Sequence, residues 1–432
     1  MKTVYVGMAA DYIHAGHVYL LQQASQYGRV VVGLLTDEAI ASYKRIPMST
    51  YEQRKSALRG LKNVYTVIPQ NTLDYRDNLN FIKPDYVVHG DDWKIGSQKE
   101  TRKQVIETMK KWGGEVIDIK RIDAPSTSDI INDELSVGVT PDYRRAKLKK
   151  LLELKPLVRI IEAHSGLSGI IAEKTNIIVE GEKREFDGIW ESSLSDSSSK
   201  GKPDIELVDF TSRTNTINEI LEVTTKPMIV DGDTGGLPEH FSFMVKTLER
   251  LGVSAVIIED KRFPKHNSLV DDPSVHNQED VDNFCKKIKI GVQSRVTQDF
   301  MIIARIESLI ISRNVKDAIT RAKRYIEVGA DAIMIHSKDK TSEQIEEFCK
   351  LYKKLYKKVP LVAVPTTYNK TTEDELSKMG ISVVIYANHL IRSSYKEMEK
   401  TARVILENKR SYEVNELCCE VKELFKLTGN IL

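Results

Sequence analysis

Cysteine is scarce, with four residues in a chain of 432, at Cys285, Cys349, Cys418 and Cys419, and none has a partner at zinc-finger spacing. That excludes a disulfide scaffold and points to reduced thiols. Cys418 and Cys419 are neighbours within a helical pattern, where adjacent side chains diverge, so they read as packing residues. Excess charge is also missing. Lys+Arg 64 against Asp+Glu 62 leaves a formal charge of +2, so no overall field recruits nucleic acid or a membrane surface. Any anion must be held by a local arrangement. No apolar run nears membrane-spanning length, and Lys2-Thr-Val-Tyr-Val6 reads as a first strand rather than a signal peptide, so a cytoplasmic protein is expected.

What is present is ordinary globular material, 41% hydrophobic and 29% charged, enough for two domains. Residues 1–136 alternate apolar strands (Val4–Val6, Val30–Leu35, Thr66–Ile68, Tyr86–His89, Glu115–Ile119) with helical stretches such as Val18–Tyr27 and Tyr51–Leu61. That order predicts a doubly wound, Rossmann-like parallel sheet with its ligand at the carboxyl ends of the strands. After the first strand come Asp11-Tyr-Ile-His14-Ala-Gly16-His17 and a helix. Two imidazoles flanking a glycine at a helix start can face one phosphate together with the helix N–H groups, although a metal site or surface histidines would give the same spacing. Lys44 and Arg54 add cations near the second unit, His89-Gly-Asp91-Asp92-Trp93 ends the fourth strand, and Arg121 precedes Ser126-Thr127-Ser128, whose hydroxyls suit a phosphate-binding helix cap.

Residues 137–156 read as a linker and a helix whose run Arg144-Arg-Ala-Lys-Leu-Lys-Lys150 is a solvated face. From residue 157 to 432 eight strand patterns recur with helices between them: Arg159–Glu162, Gly188–Trp190, Met228–Val230, Ala255–Ile258, Met301–Ala304, Ala332–Ile335, Leu361–Val364 and Val383–Tyr386. Eight β/α units in a row predict a closed TM-type (β/α)8 barrel, with its site at the carboxyl face. The polar candidates fall there: Trp190 and Ser192, Asp231 and Asp233, Glu259, Arg305 and Glu307, His336, Thr366 and Asn388. Asp231-Gly-Asp-Thr-Gly235 and Glu259-Asp-Lys-Arg-Phe-Pro-Lys-His-Asn-Ser268 give two acidic strand ends, the second running into Lys261, Lys265, Asn267 and Ser268. Carboxylates for a hard cation beside cations for an anion suggest a metal-assisted site for a charged small substrate, although a salt-bridged loop would read the same way. The tail carries an apolar stripe, Val414, Leu417, Val421, Leu424 and Phe425, suited to core packing or a subunit contact.

Those motifs carry two resemblances. Residues 3–135, through His14-Ala-Gly-His17, Gly90-Asp-Asp-Trp93 and the Arg121 to Ser128 segment, resemble the glycerol-3-phosphate and ethanolamine-phosphate cytidylyltransferases. The resemblance implies that CTP binds with Mg²⁺. His14 and His17 would stabilise its phosphates, Lys44 and Arg121 would neutralise charge, and Asp91, Asp92, Trp93, Ser126 and Thr127 would line the nucleotide site. Gly7-Met-Ala-Ala10 and Ala124-Pro-Ser-Thr-Ser128 depart from the family, which leaves the acceptor open.

Residues 157–432, through Trp190-Glu-Ser-Ser-Leu194 and the two acidic segments, resemble phosphoenolpyruvate mutase of the isocitrate lyase superfamily. By this resemblance Asp231 holds Mg²⁺ directly, and Asp204, Asp233 and Glu259 hold its waters. Trp190, Ser192 and the backbone near Leu194 take the substrate carboxylate, while Arg305, His336, Asn267 and Ser268 take the phosphoryl group. Lys261 to Leu269, with Lys265, would form a closing loop. The Lys-Lys-Cys-Gly-His motif of isocitrate-cleaving relatives is absent, which disfavours carbon–carbon lysis. Ser193 stands for a family glycine, Pro203 for an arginine and His266 for a threonine, and Thr175–Arg184 reads as an added hairpin. Relatives exchange helices, so a homodimer or homotetramer is expected.

Joined, the halves imply phosphonate biosynthesis. Phosphoenolpyruvate would be isomerised to phosphonopyruvate by the barrel, and a small phosphonate such as 2-aminoethylphosphonate would be cytidylylated by the first domain. The alternative is a phosphonopyruvate hydrolase with a regulatory nucleotide-binding domain.

Overall fold

The computed structural model describes residues 1–428 except 43–45, 95–98, 121–139, 180–181 and 313. The chain divides into two compact units, Met1–Gly138 with Asn176–Arg184, and Val139–Thr175 with Glu185–Leu432.

In the first unit five parallel strands, β1 (Thr3–Met8), β2 (Arg29–Leu35), β3 (Thr66–Gln70), β4 (Tyr86–Gly90) and β5 (Glu115–Ile119), form a sheet in the order β3-β2-β1-β4-β5. Valine-rich β1 and β2 are buried on both faces: Val4, Val6, Val30 and Val32 pack in one cluster, Tyr5, Val31 and Val87 in another. The order reverses between β1 and β4, and ligands of doubly wound sheets lie outside the carboxyl ends at that point.

In the second unit β6 (Val158–Glu162), β9 (Gly188–Glu191), β10 (Met228–Asp231), β11 (Ala255–Glu259), β12 (Met301–Ile306), β13 (Ala332–Ile335), β14 (Leu361–Ala363) and β15 (Val383–Tyr386) close into a parallel barrel. Each predicted strand is present. The strands β7 (Asn176–Val179) and β8 (Glu182–Glu185) pair where the added hairpin is predicted. Side chains alternate along each strand, so Val256, Ile258, Ile302 and Ala304 pack outward with Phe241, Val245 and Phe284 of the surrounding helices. Each such fully buried large apolar side chain contributes about 1.5–3 kcal/mol. Helix Pro238–Leu251 stops at Gly252, whose φ of 86° suits glycine and where a Cβ would lie 2.6 Å from Pro141.

Two expectations are corrected. Arg144 and Arg145, on helix Pro141–Leu154, are buried rather than solvated. Arg144 donates to the carbonyls of Leu221 (3.0 Å) and Thr224 (2.9 Å), and Arg145 to that of Glu249 (2.8 Å), satisfying backbone acceptors at the ends of two neighbouring helices. Cys418 and Cys419 are exposed, because the chain between the turn Tyr412–Val414 and helix Val421–Leu427 is not helical and points neither thiol inward. Of the tail stripe only Val414 is buried; Leu417, Val421, Leu424 and Phe425 face solvent in the single chain. No helix among the described residues is long and apolar enough to cross a membrane.

Candidate active sites

At the carboxyl rim of the barrel, β10 ends at Asp231 and turns through Gly232, where a Cβ would fall 2.7 Å from Val256 and 3.0 Å from the Ile257 carbonyl oxygen. This close passage aims two carboxylates into the mouth. Asp233 takes a left-handed φ of 53°, held by its N–H on Asp231 Oδ1 (3.2 Å) and its carbonyl on the Glu259 N–H (2.8 Å). Asp231 Oδ2 accepts from the Ser193 hydroxyl at 2.8 Å. That hydroxyl in turn accepts from Lys265 Nζ at 3.0 Å. Lys265 also lies 2.6 Å from Asp233 and 3.1 Å from Asp204, while Asn267 donates to Asp204 at 2.7 Å. The loop thus lies over the mouth, its lysine among the carboxylates. Burial works to raise Asp233, but Arg213 and Lys265 overcome it and hold the carboxyl at about 2. Burial likewise opposes the charge on Lys265, yet Asp233 and Glu259 raise it well above the usual lysine range.

A second cluster adjoins the first. Glu259 and Arg305 are paired residues of β11 and β12, and Arg305 Nη2 lies 3.2 Å from Glu259 Oε2. Arg305 Nε donates to Glu307 at 2.6 Å, and Nη2 to the Ser268 hydroxyl at 2.7 Å. Ser268 accepts from Lys261 (2.6 Å) and donates to Glu307 (2.6 Å), which uses all three bonding positions of one hydroxyl. Burial pushes Glu259 up against the pull of Arg305 and Lys261, whereas at Glu307 those two cations win and hold it well below the usual range. Burial and then Arg305 push His336 down to about 3, so this imidazole is neutral at pH 7, with no hydrogen-bond partner for Nδ1 among the described residues.

The remaining barrel candidates are less free. Trp190 is buried in β9. Ser192 caps helix Ser193–Ser199 by accepting from the Ser195 N–H (3.4 Å), and Leu194 sits half-buried in its first turn.

Sequence reading missed Arg213, which is buried, lies 3.0 Å from Asp233 and donates to the Asp231 carbonyl. Its only signal is a charge on the apolar face of a helix, in line with Ile217 and Ile220. Glu191 was also missed. Both of its carboxylate oxygens lack a hydrogen-bond partner among the described residues, and burial first, then Asp196, Asp231 and Asp233, push it up to about 8 against Arg213. Among the described residues no three His, Cys, Asp or Glu side chains form a ready-made metal cluster.

In the first unit His14 caps helix Ala15–Ser25 from extended backbone (φ −124°, ψ 173°), with Nδ1 accepting from the Gly16 N–H at 3.1 Å. Its ring centroid lies 4.1 Å from that of His17, so the two imidazoles do meet at the helix start beyond β1. At the end of the adjacent β4, His89 stacks on Trp93 at 4.1 Å. Trp93 itself is buried, and its indole N–H is spent on Asp118 (2.6 Å), so it supports His89 instead of offering a donor to a ligand. Asp118 also binds Arg102 (2.8 Å); against burial these bonds hold it at about 2. Asp91 is half-buried in the turn Asp91–Lys94, which also carries the Asp92 backbone. The Asp92 side chain, Lys44, Arg121, Ser126 and Thr127 lie outside the described residues. Arg54 is corrected: it is a buried clamp on the carbonyls of Ala9, Leu35 (2.8 Å) and Ser49 (3.1 Å) and on Asp37, which take four of its five N–H donors.

Residues 148–406 match the profile described as Phosphoenolpyruvate phosphomutase. The chain belongs to that family. A phosphoenolpyruvate phosphomutase of Tetrahymena pyriformis is 36% identical over 287 residues, 66% of this chain and 91% of its own. A phosphonopyruvate hydrolase of Variovorax sp. (strain Pal2) is 33% identical over 66% of this chain and 94% of its own. Among solved structures, a phosphoenolpyruvate phosphomutase from Streptomyces platensis subsp. rosaceus aligns with a TM-score of 0.61 at 33% identity, covering 66% of this chain and 95% of that one. A phosphonopyruvate hydrolase complexed with oxalate and Mg++ aligns with a TM-score of 0.59 at 32% identity, over 66% and 95%. Residues 5–133 match the Cytidylyltransferase-like profile, so a phosphomutase-family barrel shares one chain with a cytidylyltransferase-like domain.

Proposed function

We propose that the barrel, residues 157–432, isomerises phosphoenolpyruvate to phosphonopyruvate, and that residues 1–136, joined through 137–156, transfer a cytidylyl group from CTP to a small phosphonate such as 2-aminoethylphosphonate. The observation that carries the barrel reading is the juxtaposition of Asp204, Asp231, Asp233 and Glu259 with Lys261, Lys265 and Arg305, all buried at one rim beneath one loop. Paired charges of both signs are what an anionic substrate and a hard cation together require.

Mg²⁺ held directly by Asp231, with Asp204, Asp233 and Glu259 on its waters, would supply positive charge against the substrate's carboxylate and enolate oxygens. The oxygen-only donor set suits such an ion, and contact through one carboxylate needs no three-ligand cluster. Ser192 and the backbone at Leu194 orient the substrate carboxylate. Arg305, fixed by Glu307 and Glu259, faces the phosphoryl group with Ser268, Asn267 and neutral His336. The oxygen–phosphorus bond breaks, the phosphoryl group crosses as a loose, metaphosphate-like species, and a carbon–phosphorus bond forms with no net proton change. Water would capture that species as phosphate, so the loop held by Lys265 and Asn267 serves to exclude it.

In the first unit His14 and His17 meet the CTP phosphates at the helix start, with Lys44 and Arg121 adding charge. A phosphonate oxygen attacks the α-phosphorus, pyrophosphate leaves, and placement plus charge neutralisation suffice. A ³¹P NMR time course with phosphoenolpyruvate, CTP, Mg²⁺ and a panel of phosphonates tests both halves. A phosphonate resonance from phosphoenolpyruvate and a CMP ester with pyrophosphate are expected; neither appearing refutes the proposal. The comparable identity to a phosphonopyruvate hydrolase supports a second reading, in which phosphonopyruvate gives pyruvate and inorganic phosphate.

A further inference from the structure

Asp260 follows Glu259 at the end of β11 and, by strand alternation, points the other way, away from the mouth. It is fully buried, and it is a hub. Oδ1 accepts from the Glu307 N–H at 2.8 Å; Oδ2 accepts from the Tyr325 hydroxyl (2.8 Å), Arg321 (3.1 Å) and the Gln278 amide (3.1 Å). Its carbonyl accepts from the Glu279 N–H at 2.8 Å. One residue along, Lys261 pairs antiparallel with Gln278, and the Arg262 N–H donates to the Asn277 carbonyl at 2.9 Å. Asp260 therefore ties both legs of the loop, Asp260–Arg262 going out and Asn277–Glu279 returning, to the backbone of Glu307. Glu307 is the group whose carboxylate holds Arg305, Ser268 and Lys261.

We propose that Asp260 is a positioning residue. Acting through Glu307 and the two legs of the loop, it sets Arg305 and the water seal, and so decides how much of the migrating phosphoryl group reaches carbon and how much is lost to water. This rests on the mutase reading above. Four donors converge on its two oxygens, and only a carboxylate offers acceptors on both sides. Asp260→Asn keeps the volume but turns an N–H₂ group toward donors on one side, so the Glu307 backbone or the loop legs must shift. Misplacing a charge-stabilising group by about 1 Å costs on the order of 10²-fold in rate.

The test follows phosphoenolpyruvate turnover by ³¹P NMR in the full chain, reading the ratio of phosphonopyruvate to inorganic phosphate with kcat and KM. Asp260→Asn is expected to lower kcat by about 10²-fold, to move KM by less than about threefold, and to raise the phosphate share. Tyr325→Phe removes one donor and leaves the Asp260 carboxyl and its other partners in place; it should raise the phosphate share in the same direction by a smaller step. If Asp260→Asn does not fold, Tyr325→Phe decides alone. A wild type that makes phosphonopyruvate, with folded variants keeping its product ratio, overturns this inference alone. A wild type that makes none overturns the mutase reading and this inference together.

Discussion

Replacing Lys265 with methionine keeps the stem and removes the ammonium that lies 2.6 Å from Asp233 and 3.1 Å from Asp204. In the closed arrangement Asp233 is then left with Arg213 at 3.0 Å, and Asp204 with the Asn267 amide at 2.7 Å. Asp204 is then a buried carboxylate without a cationic partner, which costs about 3–5 kcal/mol if nothing moves. Moving the loop is cheaper. Opening only the part around Lys265 and Asn267, while Ser268 stays on Arg305 and Glu307, gives up chiefly the bond from Asn267 to Asp204, worth about 1.5–3 kcal/mol because one partner is charged. Taken between the midpoints of the two ranges, the difference of about 2 kcal/mol favours the open loop, and at about 1.4 kcal/mol per factor of ten it lowers the closed population tenfold or somewhat more. We expect phosphonopyruvate formation to fall at least about tenfold, inorganic phosphate to appear, and global stability to drop by no more than about 3 kcal/mol, because the loop absorbs the strain. The assay is ³¹P NMR of phosphoenolpyruvate turnover beside a thermal melt. A variant that keeps the wild-type rate and product, or one that loses stability without releasing phosphate, refutes the reasoning.

Glu191→Gln tests burial. The folded carboxyl is raised to about 8 from 4.5, so the stability it contributes is fully present below the unfolded value and is lost as pH rises through the folded one. The variant should melt above wild type at pH 8 and close to it near pH 4.5; a constant difference across that window would contradict the assignment. Arg54→Met removes a clamp on three carbonyls and Asp37, and should lower the stability of the first unit by about 3–5 kcal/mol in calorimetry, whether or not CTP is present. His14→Asn and His17→Asn should cut CTP-dependent pyrophosphate release by about 10²–10³-fold. The His14 change should cost about 1 kcal/mol of stability, the worth of a helix N-cap, because its Nδ1 caps the helix at the Gly16 N–H. Chelating divalent ions should abolish phosphonopyruvate formation, and Mg²⁺ should restore it; activity that persists in chelator would remove the ion from the barrel reading.

The barrel strands, the first-unit sheet and the end of each strand that carries polar groups were legible in the chain. Runs such as Ala255–Ile258 ending in Glu259 record in one dimension both burial on two faces and the place where burial stops. Hidden were the partners. Arg54, Arg144, Arg145 and Arg213 look like surface charges by composition, yet each is buried on carbonyls or carboxylates distant along the chain. The tail shows the converse: a helical apolar stripe whose inward side the single chain does not cover. Periodicity is a property of neighbours a few positions apart, and it fixes the elements. That Lys265 meets Asp233 and Ser193, or that Asp260 holds Glu307, depends on distances set only when eight strands close on themselves, because a buried charge takes whichever counter-charge that closure brings within reach.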